Sequence, residues 1–370
     1  MNLYGRFLQP VRIASLEAYR FQGHFLVQVT SEEGVTGVAT VNDRLAYLWP
    51  IFQHFIVPYF VEKDARDLPS LVEGVYTYRS VYKLAGIALW NPIAYAELAI
   101  LDLLGKLADC PVGDLLGDVI RQDIPVYLSS LRRDTTPEEE VAWLADRLAE
   151  TGATAVKLKI GGRMSHNADA SPGRTERLIR LARKTFGDNI TIYVDANGSY
   201  DADHAIEVGT FLAGHGVEFL EEPCPWQAYW ETKRVADALV MPVAGGEQDS
   251  SLETFAWLIR DRVVDVVQPD VMYNGGLIRA LQVADMAAAA GMSIMPHSPK
   301  VGAEAAAVLH FCSVAENMGP YQEWRGEHTE PASWCSPAFE IRSGCVLVPT
   351  GPGLGVDYDP GIWERTERLI

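Results

Sequence analysis

Through the second half of the chain, short apolar runs recur, and each ends at or beside an ionisable residue: ITIYVDAN, VEFLEEP, MPVAGGE, VVDVVQPD, MSIMPH and GPYQEW. The residues in question, Asp195, Glu221, Glu247, Asp270, His297 and Glu323, follow one another at intervals of 26, 26, 23, 27 and 26 residues. A strand, a helix and two loops take roughly 25 residues, so this spacing is the beat of a βα-barrel. In that architecture catalytic groups stand at the C-terminal ends of the strands. The pattern therefore predicts six ionisable side chains on one rim.

Ahead of this ladder the pattern differs. Residues 11–41 alternate like a hairpin turning at Glu33–Gly34. Residues 43–118 read as mainly helical, with AYAELAILDLLGKLA followed by Gly113 and Gly117. The run IPVYLSS opens the barrel near Ile124, and Thr136–Pro137 announces a helix over EEEVAWLADRLAE. TAVKLKI is the next strand. The polar stretch GGRMSHNADASPGR after it stretches the gap from Lys159 to Asp195 to 36 residues and is a candidate lid. The pattern divides the chain into an α+β segment over 1–123, a barrel over 124–325, and a Gly- and Pro-rich segment over 326–370 predicted to return to the N-terminal part.

Composition narrows the class. With 370 residues, 48% of them hydrophobic, the chain can bury one large core and a smaller neighbour. No apolar run looks long enough for a membrane span, and MNLYGRFLQPVRI does not read as a signal peptide; a cytoplasmic protein is expected. A formal net charge of −18 argues against nucleic acid and anionic membrane as partners, though not against a small anion. Five cysteines without metal-ligand spacing are expected to be reduced thiols.

Three carboxylates from successive strand ends, Asp195, Glu221 and Glu247, would repel one another without a counter-charge. A hard divalent cation resolves this, and an all-oxygen set favours Mg²⁺ over zinc. Lys157 and Lys159 are two apart in VKLKI, so both face the barrel mouth, where crowding is expected to lower a lysine's pKa toward that of a general base. Asp270 and His297, on consecutive strands, suit a carboxylate orienting an imidazole as a second acid/base. Glu323, if protonated, would donate a hydrogen bond to a developing oxyanion.

In this order and spacing, KLK (Lys157, Lys159), VDANGSY (Asp195, Asn197), FLEEP (Glu221), AGGEQ (Glu247), QPD (Asp270), PH (His297) and YQE (Glu323) resemble the enolase superfamily, specifically its mandelate racemase subgroup. The resemblance spans nearly the whole chain. It implies a (β/α)7β TIM-like barrel with an α+β cap built from both termini, and a homo-oligomer. It also implies Mg²⁺ on Asp195, Glu221 and Glu247, Lys159 as one base, and Lys157 and Glu323 on the substrate carboxylate. The Asp270–His297 pair would be the other acid/base, and Asn197 would meet a substrate hydroxyl. The implied reaction is abstraction of a proton α to a carboxylate: an acid-sugar dehydratase, with a racemase or epimerase as the alternative. The turn at FQGHF (21–25) is shorter than the family's usual specificity loop. Cover must then come from the loop after Lys159, the stretch near Trp49 and Phe52, or a neighbouring subunit. Arg20 and His24 are candidates for a distal substrate group, and Trp226, Tyr229 and Trp230 for a pocket wall.

Overall fold

In the computed structural model, which describes residues 1–370, the alternation over 11–41 forms three strands: β1 (Ile13–Phe21), β2 (His24–Ser31) and β3 (Thr36–Val41). The turn at Glu33–Gly34 is present, closed by Gly34 N donating to Ser31 O at 2.9 Å. A second, two-residue turn at Gln22–Gly23, both with positive φ (49° and 85°), makes the segment a meander instead of a single hairpin. Residues Glu367–Arg368 add a fourth antiparallel strand on the outer edge of β1.

The helix Gly86–Leu107 packs on β2 and β3. Its 22 residues are long and apolar enough, by length and composition, to cross a membrane, which corrects the reading that no run reaches that length. In the fold, 89% of its apolar window is buried, so its hydrophobicity is that of a core helix. Contact with the cap sheet is close: a Cβ on Gly37 of β3 would lie 2.3 Å from Ala99 O, so only glycine admits the helix at this depth.

Eight parallel strands follow: β4 (Asp123–Ser129), β5 (Ala155–Lys159), β6 (Thr191–Asp195), β7 (Val217–Glu221), β8 (Val243–Gly245), β9 (Val266–Val267), β10 (Ser293–Ile294) and β11 (Gln322–Arg325). They pair in the order β10-β9-β8-β7-β6-β5-β4-β11, and a parallel bridge between Ile294 and Met318 closes the curled sheet. A helix separates each strand from the next, giving (β/α)7β. The predicted helix start at Thr136 carries a capping box with Glu139. After β11 the chain descends the outside of the barrel, and Cys345–Leu347 pairs antiparallel with the N-terminal end of β4.

Side chains at every second strand position point inward. The lower interior is a layer of Tyr127, Ala155, Tyr193, Phe219, Ala244 and Met295, with Tyr193 stacked on Phe219 at 4.1 Å. Two residues further along the same strands stand Ser129, Lys157, Asp195, Glu221 and His297. An apolar floor thus lies directly under a polar layer.

Candidate active site

Asp195, Glu221 and Glu247 are all buried, and each offers a carboxylate oxygen within 4.8 Å of the others. Lys157, wholly enclosed, sits between two acids: its Nζ is 2.6 Å from Glu221 Oε1 and 2.8 Å from Glu323 Oε1. Lys159 Nζ pairs with Asp195 Oδ2. Gln268 Nε2 donates to Glu221 Oε2 at 2.7 Å, and Gln248 Nε2 to Glu247 Oε1 at 2.7 Å.

Burial and the neighbouring Asp195, Glu323 and Glu247 push Glu221 up to about 8, against the pull of Lys157. The two lysines therefore do not satisfy the cluster. A further positive charge would be stabilised between these oxygens, and the set is all-oxygen, so the residues fit a hard divalent cation.

The expectation for the lysines needs correction at Lys157. Burial alone would lower its pKa, but the Glu221 and Glu323 carboxylates outweigh burial and hold it well above the ordinary value. It is a fixed ammonium, not a base. Glu323 is likewise not the neutral donor expected. It accepts from Ser129 Oγ at 2.7 Å, from Ser298 N at 2.8 Å and from Lys157. Burial favours the protonated acid, yet Lys157 and His297 bring it down to about 2.

His297 Nδ1 lies 2.9 Å from Asp270 Oδ2, and its Nε2 is 3.5 Å from Glu247 Oε2. Burial disfavours the imidazolium, but Glu247 and the Asp270 hydrogen bond prevail and raise His297 to about 9. Asp270 is anchored through Oδ1 by Met272 N (2.8 Å) and Tyr273 N (3.1 Å). Lys300 Nζ stands 3.9 Å from its Oδ2. Against burial, Lys300 and His297 keep Asp270 down at about 2.

Asn197 lies beyond the end of β6 in a left-handed conformation (φ 41°), and its amide is committed internally. Nδ2 donates to Asp195 Oδ2 at 3.0 Å and to Glu222 Oε2 at 3.2 Å, while Oδ1 accepts from Arg133 Nη2 at 2.8 Å. These bonds orient Asp195.

Arg20 is exposed and paired with Glu367. Trp226 and Trp230 are exposed, and Tyr229 donates to Asp249. Phe52 is fully buried in the cap core. The loop after Lys159 is tied to the β6 loop through Met164 N to Asn197 O (3.0 Å) and Asn167 N to Ser199 O (2.8 Å). His24 packs against Trp334 at 4.9 Å. The cap reaches His297 by a route the sequence did not suggest: the Arg44 guanidinium lies 4.5 Å over Tyr273, whose ring is 6.1 Å from His297.

Gln268, Ser129, Ser298 and Arg133 also went unnoticed in the sequence. Gln268 was legible in principle, being two residues before Asp270 and close in sequence to it; the others are defined by contacts between distant strands.

A carboxylate triad, a lysine and a His–Asp pair around the mouth of a (β/α)7β barrel beneath an α+β cap define a class of enzyme. The family model described as Enolase C-terminal domain-like matches residues 140–362. The chain belongs to the enolase superfamily, in the group of mandelate racemase. It is 28% identical to the arabinonate dehydratase of Saccharolobus solfataricus, over 92% of this chain and 90% of that one. It is 26% identical to the D-galactarolactone cycloisomerase of Agrobacterium fabrum, over 95% and 92%. A mandelate racemase/muconate lactonizing protein from Paracoccus denitrificans PD1222, solved with magnesium, superposes with a TM-score of 0.87 at 27% identity, over 97% of this chain and 99% of that one.

Proposed function

We propose that this enzyme dehydrates an acid sugar, an aldonate or aldarate, to a 2-keto-3-deoxy acid, using Mg²⁺ held by Asp195, Glu221 and Glu247. The observation that carries this reading is the placement of Lys159 and His297 across the barrel mouth from each other, Lys159 at the end of β5 and His297 in the loop that leaves β10. His297, raised to about 9, is an imidazolium at neutral pH and so a proton donor. That leaves Lys159 to take the proton from C2. The electron pair left on C2 forms an enediolate, which collapses to expel the C3 hydroxyl; that oxygen leaves as water with the His297 proton. The enol then tautomerises to the 2-keto acid. Lys157, fixed as an ammonium, binds the substrate carboxylate and favours the added negative charge of the enediolate. Mg²⁺ at the triad would supply Lewis-acid stabilisation of that same charge.

A second reading, racemisation or epimerisation, uses the same pair, one group removing the proton and the other returning it to the opposite face. The opposed placement and the mandelate racemase relatives support it. Both readings meet one test: a keto-acid assay over a panel of aldonic and aldaric acids, with Mg²⁺ and with a chelator. A Mg²⁺-dependent 2-keto product is expected. Solvent deuterium entering C2 with inversion and no keto product would replace dehydration with the racemase reading.

A further inference from the structure

Asn197 grips both oxygens of the Asp195 carboxylate. Its backbone N donates to Oδ1 at 2.7 Å and its side-chain Nδ2 to Oδ2 at 3.0 Å. The backbone bond is set by the left-handed turn at Asn197 (φ 41°). The side-chain bond depends on which way the amide faces. Rotated by half a turn, the amide would set Oδ1 against Asp195 Oδ2 and Glu222 Oε2, acceptor against acceptor. Arg133 opposes that rotation, because its Nη2 donates to Asn197 Oδ1 at 2.8 Å. A guanidinium has no acceptor, so a rotated amide would there meet N–H with N–H.

Arg133 is itself held in place. It lies on the loop between β4 and the helix Pro137–Thr151 and reaches over two neighbouring strand ends. Its Nε donates to Ile160 O at 3.4 Å and its Nη2 to Asp195 O at 3.3 Å. The fully buried Arg174 fastens the same loop, donating from Nε to Thr135 O at 2.8 Å and from Nη1 to Lys159 O at 3.0 Å. The rigid fork of Arg133 therefore ties the backbone beside Lys159 to Asp195 and to the amide that orients it. A compact ammonium cannot span these three acceptors in the same plane.

We infer that Arg133 is a positioning residue for the metal and acts through Asn197: by fixing the amide it holds Asp195 in one orientation toward Mg²⁺. The inference rests on the Mg²⁺ site of the proposed function and not on the identity of the substrate. Contacts that orient a metal ligand from outside typically account for about ten- to a hundredfold in metal affinity. Charge alone predicts the opposite sign. Arg133 is one of the cations acting on Asp195, and removing it would lessen the repulsion of Mg²⁺.

The test is calorimetric titration of Mg²⁺, without substrate, onto the wild type, Arg133→Met, Asn197→Gly and the double variant. Glycine is chosen at 197 because it adopts φ 41° without strain. Arg133→Met should raise the Mg²⁺ Kd roughly tenfold or more, and Asn197→Gly by a similar factor. The double variant should bind no more weakly than Asn197→Gly alone, since Arg133 then has no amide to hold. Unchanged or tighter binding by Arg133→Met overturns the proposal, and so does a double variant in which the two losses multiply. If Arg133→Met does not fold, Arg133→Lys takes its place in the cycle. It keeps the charge, so a weakening that disappears beside Asn197→Gly supports positioning, and no weakening overturns it. A wild type that binds no Mg²⁺ overturns the metal site and this proposal together. A wild type that binds Mg²⁺ but makes no keto acid refutes dehydration alone, and the cycle still decides the role of Arg133.

Discussion

Replacing Asp270 by Asn separates the positioning of His297 from the chemistry itself. The Asn Oδ1 can still accept from Met272 N and Tyr273 N, at 2.8 and 3.1 Å in the parent, so the loop keeps its anchor. The other arm becomes an NH₂ donor where a carboxylate oxygen stood 2.9 Å from His297 Nδ1. A hydrogen bond to a charged group contributes about 1.5–3 kcal/mol, and 1.36 kcal/mol corresponds to one pH unit. The variant's imidazole should therefore titrate roughly one to two units lower than the parent value of about 9. His297 acts as an acid, so activity needs its protonated form and is lost as pH rises through its pKa. The alkaline limb of the kcat–pH profile should move down by that amount. At pH 8 kcat should fall by roughly two- to tenfold, with nearly full recovery near pH 6. Stability should follow the same sign. A histidine raised from 6.5 to about 9 contributes stability that is fully present below pH 6.5 and is lost as pH rises through 9. The melting-temperature gap between parent and variant should accordingly close between pH 6 and pH 10. A uniform loss of kcat at every pH, with the alkaline limb unmoved, would refute the reasoning and reduce Asp270 to scaffolding.

Glu247→Gln should lose Mg²⁺ affinity and activity together, by at least about a hundredfold. Calorimetry with Mg²⁺ checks this, and unchanged metal binding would remove Glu247 from the ligand set. Lys159→Ala should keep the metal and lose roughly 10²–10⁴ in kcat; loss of metal instead would mean that its ion pair with Asp195 is structural. Gly276→Ala should cost about 3 kcal/mol of stability, read by thermal unfolding. Gly276 has φ 115°, and a Cβ there would sit 1.9 Å from Glu97 Oε2. An unchanged melting temperature would contradict the placement of Glu97, which accepts from Leu277 N and Ile278 N at 2.6 and 2.9 Å.

The strand-end ladder was legible because two local rules suffice for it: period-two alternation within a strand, and the length of one βα unit. Those rules brought Asp195, Glu221 and Glu247 to one rim, and Lys157 and Lys159 into its mouth. They could not give protonation states. Glu323 reads as a candidate neutral acid until Lys157, Ser129 and Ser298, from three other strands and loops, are seen to surround it. Asn197 looks like a strand residue facing substrate, but the strand ends at Asp195 and a left-handed turn aims its amide at Glu222. Arg20 sits on the hairpin where a substrate contact was sought, yet a strand more than three hundred residues later claims it. The helix Gly86–Leu107 has the composition of a membrane span because it is enclosed on nearly every side, and sequence alone cannot say by what.

The edge of β1 has a consequence for how the chain is made. Its outer neighbour is supplied by Glu367–Arg368, so at roughly 5–20 residues per second a nascent β1 waits about 17–70 s for its partner. An open strand edge is a template for pairing with another chain. Glu17 and Arg20, which in the finished fold pair with Arg368 and Glu367, occupy that edge. As surface ion pairs they add little to the mature protein. During translation the same two charges guard the unpaired strand against neighbouring nascent chains on the same messenger.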